Sequence, residues 1–158
     1  MYNVLYLCDK NYYQSKMSRV RFHSINAISK IANVEMWGNN WPGYNSTKTV
    51  QENIDASDFK PDVVVGSSRG GAVAMALDNP SVKTVLIAPA YKKYNVSPTH
   101  VTRRGETVVL HSICDEVISV KDSADLVTEH GYRLHVCGAN HRMSDKDALT
   151  MLAKVLYD

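Results

Sequence analysis

Gly66-Ser67-Ser68-Arg69-Gly70 constrains this chain more than any other segment. It follows the apolar run Val63-Val64-Val65 and opens into the small-residue stretch Gly71-Ala72-Val73-Ala74-Met75-Ala76-Leu77. A β-branched run favours a strand, and the segment after the turn is compatible with a helix. A sharp reversal between the two forces Ser68 into a strained backbone conformation. The residues two before and two after it must then lack side chains, so that strand and helix can pass closely. Both are glycine, Gly66 and Gly70. The plain alternative is an ordinary Gly/Ser turn, and two later segments decide between the readings.

The first is His111-Ser112-Ile113-Cys114-Asp115-Glu116-Val117-Ile118, directly after Thr107-Val108-Val109-Leu110. The second is Gly138-Ala139-Asn140-His141-Arg142-Met143, directly after Tyr132-Arg133-Leu134-His135-Val136-Cys137. Each puts a residue type of catalytic use in the loop beyond a predicted strand. The chain order is serine, aspartate, histidine. On the patterns G-x-S-x-G-G (Gly66 to Gly71), a strand followed by G-x-x-D-x-x-V (matched at Asp115 and Ile118) and G-x-x-H (Gly138 to His141), the sequence resembles the α/β-hydrolase superfamily, especially its small lidless esterases and dienelactone-hydrolase-like members. The likeness covers about the last hundred residues well and the first sixty poorly.

Composition is consistent with one compact domain over residues 1–158. With 44% hydrophobic and 22% charged residues the chain can bury a core. A formal net charge of +2 gives no general affinity for nucleic acid. The start, Met1-Tyr2-Asn3, leads straight into a strand-like segment without a signal-peptide pattern. No apolar run approaches the roughly 20 residues needed to cross a bilayer. Three cysteines without close pairing argue against a disulfide framework and for a reducing cytoplasm. They also lack the paired C-x-x-C spacing of a zinc site, and no metal or other cofactor is expected.

Short apolar runs alternate with helical patterns along the chain. Strands are predicted at Val4–Cys8, Val34–Trp37, from Val63, at Lys83–Ala88, Thr107–Leu110 and Tyr132–Cys137. Helices are predicted at Ser18–Ala32, Thr49–Ser57, after Ser68 as far as Asp78-Asn79-Pro80, at Lys121–Glu129 and at Asp145–Leu156. This rhythm predicts an α/β fold, a three-layer sandwich around a mostly parallel six-stranded sheet. The resemblance implies a minimal α/β-hydrolase without a cap domain, in strand order 2-1-3-4-5-6. It also places the site at the carboxyl edge, beside the order reversal.

The resemblance implies a role for each residue. Ser68 is the expected nucleophile, His141 its base and Asp115 the acid that orients the imidazole. Asp115 and Glu116 are adjacent, and one of them is alternatively a helix cap. The backbone N–H of Arg69 is the first expected oxyanion donor. The second falls to the N–H of Lys10, where Cys8-Asp9-Lys10 replaces the His-Gly pair usual in the family. That departure puts the hole's geometry in question, and an inward Asp9 carboxylate opposes an oxyanion. His111 and His135 are expected to be structural, and Ser67 a packing residue.

The loop from Pro89 to Glu106 is too short for a cap, which predicts an open site. Its basic residues Lys92, Lys93, His100, Arg103 and Arg104, with Lys10, Arg69 and Arg142, are either solvated charge or a basic rim suited to an anionic ester or thioester. Asp9, Lys92 and Arg142 are the candidate substrate contacts.

A second resemblance starts from the other end. Ser18-Arg19-Val20-Arg21-Phe22-His23, Trp37-Gly38, Trp41-Pro42-Gly43-Tyr44 and Lys60-Pro61-Asp62-Val63 look like the opening of a GT-B glycosyltransferase. It implies a non-catalytic Rossmann-like module that binds carbohydrate or a partner, with Trp37, Trp41 and Tyr44 stacking on sugar. It leaves the serine–aspartate–histidine order unexplained.

Overall fold

The computed structural model describes residues 2–8, 32–37, 47–78, 83–96 and 105–157. Six strands, β1 (Tyr2–Leu7), β2 (Ala32–Trp37), β3 (Val63–Ser67), β4 (Lys83–Ile87), β5 (Thr107–His111) and β6 (Arg133–Val136), form one sheet in the order β2-β1-β3-β4-β5-β6. Every neighbouring pair is parallel. Four described helices accompany it: α1 (Thr47–Ala56), α2 (Arg69–Met75), α3 (Val120–His130) and α4 (Lys146–Tyr157).

The apolar runs are continuous because the middle strands are covered on both faces. One face carries Val4, Tyr6, Val63, Val65, Val85, Ile87, Val108 and Leu110, packed on Ala148, Leu152, Val155 and Leu156 of α4. The other carries Leu5, Leu7, Val64, Leu86 and Val109, packed on Val50 and Ile54 of α1, on Ala72 to Met75 of α2 and on Leu126 of α3. A one-residue slip of any strand would exchange these sets. The result is the three-layer α/β arrangement expected from the sequence.

Boundaries shift where local hydrogen bonds reach further than pattern does. Strand β1 begins at Tyr2 because the Lys60-Pro61-Asp62 lead-in grips it: Asn3 N–H donates to Asp62 Oδ2 at 2.8 Å, and Asn3 Nδ2 donates to the Lys60 carbonyl at 2.9 Å. Helix α2 stops at Met75, ahead of Asp78-Asn79-Pro80. There Ala76 and Leu77 N–H turn to the carbonyls three residues back, at Val73 and Ala74, the tightened last turn that ends many helices. Helix α3 starts one residue early under its cap, Ser119, whose Oγ accepts from Lys121 N–H. Ala32, expected to close a helix, opens β2. The rest of that helix, residues 18–31, lies outside the described residues. Part of the β4–β5 connection, residues 97–104, lies outside the described residues.

Candidate functional site

Three loops meet beyond the carboxyl ends of β3, β5 and β6. The first is the turn from β3 into α2. Ser68 sits there at φ 53° and ψ −112°, a conformation costing on the order of 1–3 kcal/mol that persists only when its surroundings fix it. The surroundings do so with backbone bonds on both sides. Ser68 N–H donates to the Ile87 carbonyl at 2.8 Å, and its own carbonyl accepts from Ala72 N–H at 3.1 Å and Ala90 N–H at 3.0 Å. The flanking glycines are steric necessities. A Cβ on Gly70 would lie 2.2 Å from the Leu7 carbonyl oxygen, and one on Gly66 would lie 2.4 Å from the Gly70 carbonyl oxygen. Ser67, by contrast, points into the core and lies 3.2 Å from the Tyr6 hydroxyl.

The second loop follows β5 and is organised by the Asp115 carboxylate. Its Oδ1 accepts from Val117 N–H at 2.8 Å and Ile118 N–H at 2.7 Å. Its Oδ2 lies 2.7 Å from His141 Nδ1 and 2.9 Å from His111 Nε2. Burial alone pushes this carboxyl up. The bonds from Ile118 N–H, the His141 ring and Val117 N–H, with the attraction of His141, outweigh burial and hold it below the usual carboxylate range. Neither Asp115 nor Glu116 caps α3, since Ser119 does. Glu116 Oε2 accepts weakly from His141 N–H at 3.4 Å.

The third loop follows β6 and carries His141. Ser112 Oγ ties it to the acid loop, donating to the Gly138 carbonyl at 2.8 Å while accepting from Cys114 N–H at 3.0 Å. Asp147 and Asp145 accept from Gly138 N–H and Ala139 N–H. So held, His141 turns Nε2 to Ser68 Oγ at 3.0 Å. An ionised Asp115 only accepts, so the proton of a neutral His141 ring sits on Nδ1 and Nε2 is left to accept from the serine hydroxyl.

The remaining candidates fare differently. Arg69 is the first residue of α2, and its guanidinium lies 4.8 Å over the Tyr94 ring. Arg142 is exposed beside His141, its N–H bonded to Asn140 Oδ1. Lys92, an expected substrate contact, has its ammonium paired with Asp122 and Asp125 of α3, at 3.2 Å each. Opposite charge on α3 draws it there. Asp9, Lys10, Trp41, Tyr44, His100, Arg103 and Arg104 lie outside the described residues, as does the side chain of Trp37. His135 lies within β6, and its Nε2 has no hydrogen-bond partner among the described residues.

Cys8 and Cys137 are buried and Cys114 is exposed. Burial, with Asp147 and Asp145 nearby, pushes the Cys137 thiol up to about 11. Among the described residues, no three His, Cys, Asp or Glu side chains are grouped to hold a metal, and no helix is long and apolar enough to cross a membrane.

His111, expected to be structural, and Ser123, which no pattern in the sequence singles out, both join this network. His111 is fully buried, with Nδ1 2.6 Å from Ser123 Oγ. The available signal was the spacing of His111 from Asp115, which lets a residue at the tip of β5 reach back over its own loop.

Solved structures with this fold are α/β-hydrolases and esterases. An esterase domain from Rhodothermus marinus superposes with a TM-score of 0.74 at 15% identity, over 98% of this chain and 84% of that one. The mouse alpha/beta hydrolase domain-containing protein 10 gives 0.71 at 17% identity, over 99% and 88%. Est1E from Butyrivibrio proteoclasticus gives 0.67 at 12% identity, over 98% and 84%. No protein-family model matches the chain, and no curated protein matches it in sequence. The fold is that of the α/β-hydrolases. The described strands of the first sixty residues, β1 and β2, are part of its sheet. Most of the segments that look like a glycosyltransferase opening lie outside the described residues.

Proposed function

We propose that this chain is a serine hydrolase that cleaves a small ester or thioester through an acyl-enzyme intermediate. One observation carries the reading: a serine in a strained strand-to-helix turn heads the hydrogen-bonded series Ser68–His141–Asp115. A serine hydroxyl is a weak nucleophile until a base takes its proton. His141 Nε2 is within reach to do so as Ser68 Oγ attacks the carbonyl carbon. The imidazolium then gives that proton to the leaving alcohol or thiol as the tetrahedral adduct collapses to the acyl-enzyme. In the second half His141 takes a proton from water, whose oxygen attacks the acyl carbon, and returns it to Ser68. Asp115 stays ionised throughout, keeping Nδ1 protonated and stabilising the charged ring.

The oxyanion would be met by Arg69 N–H at the start of α2, where backbone donors and the helix dipole favour negative charge. The second donor is assigned to Lys10 N–H. Support comes from the close passage of Gly70 against Leu7 and Cys8, three and two residues before Lys10, beside the serine turn. Arg69 and Arg142, next in sequence to Ser68 and His141, favour a substrate with an anionic group.

The test is pre-steady-state hydrolysis of a small p-nitrophenyl ester. An acyl-enzyme gives a burst of p-nitrophenol stoichiometric with protein, absent in Ser68→Ala. Hydrolysis unaffected by Ser68→Ala would reject the reading.

A further inference from the structure

Asp115 serves two imidazoles through one oxygen. Oδ2 lies between His141 Nδ1 at 2.7 Å and His111 Nε2 at 2.9 Å. His111 Nε2 also lies 3.0 Å from the Ile118 carbonyl, and on its far side Nδ1 lies 2.6 Å from Ser123 Oγ. His111, Ser123 and the Asp115 side chain are all fully buried. The directions of these bonds follow from the partners. A carboxylate and a carbonyl only accept, so Nε2 of His111 must carry a proton. In the neutral ring Nδ1 is then an acceptor, and Ser123 donates to it. The series therefore runs from α3 to the nucleophile: Ser123 to His111, His111 to Asp115, His141 to the same Asp115 oxygen, Ser68 to His141.

We propose that His111 is a positioning residue for the acid, a second imidazole that fixes the Asp115 carboxylate for His141 and is itself locked by Ser123. This rests on the serine-hydrolase reading of the site. The need for it is visible in the loop. Asp115 stands on an irregular segment between β5 and α3, and its backbone bonds hold Oδ1 alone. Without a second contact Oδ2 is free to leave the line to His141 Nδ1. His111 stands on the last residue of β5, within the sheet, and Ser123 stands on α3. Together they tie that oxygen to two regular elements, and the bond to Ile118 closes the loop on the same N–H. Functional groups lose accuracy when their supporting contacts are left loose. His111 touches no substrate and transfers no proton in this scheme.

The experiment compares His111→Asn with His111→Gln. A glutamine carries its amide N–H out to about the reach of Nε2, whereas an asparagine stops near Nδ1 and cannot meet Asp115. Both replace the ring by a polar amide, so a defect from losing the ring or its polarity is common to both. With a p-nitrophenyl ester, His111→Asn is expected to lower kcat about 10–100-fold, on the scale set by removing the partner that orients a metal-binding side chain, at unchanged KM. His111→Gln is expected to recover most of it. Equal losses in both, or no loss in His111→Asn, would overturn the proposal. Ser123→Ala, a small deletion, covers the case in which both His111 variants fail to fold. Lowered kcat at unchanged KM supports the lock, and unchanged kcat overturns it. Fluorophosphonate labelling of the unaltered protein keeps the two readings apart. No adduct there rejects the serine hydrolase itself, while normal labelling with an unimpaired His111→Asn rejects only the positioning role.

Discussion

Replacing Asp115 by asparagine tests the electrostatics of the site with almost no change in volume. Four N–H groups converge on this carboxylate, two backbone donors on Oδ1 and two imidazole nitrogens on Oδ2. An asparagine must put its NH2 at one of these places. At Oδ1 it faces Val117 and Ile118 N–H; at Oδ2 it faces both rings. At Oδ1 the two backbone donors lose their acceptor, and at Oδ2 each ring must shift its proton or go unpaired, at about 1–3 kcal/mol for each donor left without an acceptor. The lower end, about 2 kcal/mol in all, lowers Tm by roughly 4–8 °C in a chain of this size. The catalytic cost is larger. Backbone N–H groups cannot shift their protons and imidazoles can, so the NH2 is expected at Oδ2, where His141 keeps a bond only by moving its proton to Nε2 and no longer accepts from Ser68. Trapping that tautomer in a serine-protease triad lowers kcat by about 10⁴-fold, and a loss of that order is expected here. The assay is steady-state hydrolysis of a p-nitrophenyl ester beside thermal denaturation followed by circular dichroism. A folded Asp115→Asn protein within about tenfold of full activity would refute the reasoning, since about 10⁴ is the size of the tautomer effect.

Further outcomes follow from the same geometry. Gly70→Ala drives a Cβ to 2.2 Å from the Leu7 carbonyl oxygen. The overpacking costs about 1–3 kcal/mol or more, to be read as a lower urea midpoint together with lost activity. Because hydrogen bonds hold the Asp115 carboxyl below its usual range against burial, its contribution to stability is full above the unfolded carboxylate value of about 4 and is lost as pH falls through the lower native value. Urea titrations at a series of acidic pH values are expected to show a shallower acid limb in Asp115→Asn. Of the cysteines, exposed Cys114 should react first with Ellman's reagent under native conditions. Buried Cys8 and Cys137, the latter with its thiol pushed up to about 11, should react only on unfolding.

Much of the fold was legible because it follows from periodicity and from a few obligatory glycines. The runs at Val63 and Thr107 could be placed in a parallel sheet because their β-branched content suits burial on both faces, and the run at Tyr132, the edge strand, by its place in the strand–helix rhythm. Gly66 and Gly70 pointed to close passage, and the passage is there. Ser68, Asp115 and His141 could be singled out because each stands just beyond a strand end. What pattern did not carry was the direction of individual side chains. Nothing local tells whether Lys92 faces a substrate or the acidic Asp122 and Asp125, because those partners belong to another element. His111 reads as structural because it stands at a strand end. Its part is set by Asp115 looping back and by Ser123 on a helix packed against the sheet. Such contacts are tertiary, and a strand-period pattern holds no record of them.

The central claim is that Ser68 is an activated nucleophile, and intact-mass analysis after exposure to a fluorophosphonate tests it most directly. The account predicts one adduct per chain, mapped by tandem mass spectrometry to Ser68, and lost in both Ser68→Ala and His141→Ala. No adduct on folded protein, or an adduct that persists in Ser68→Ala, would contradict it.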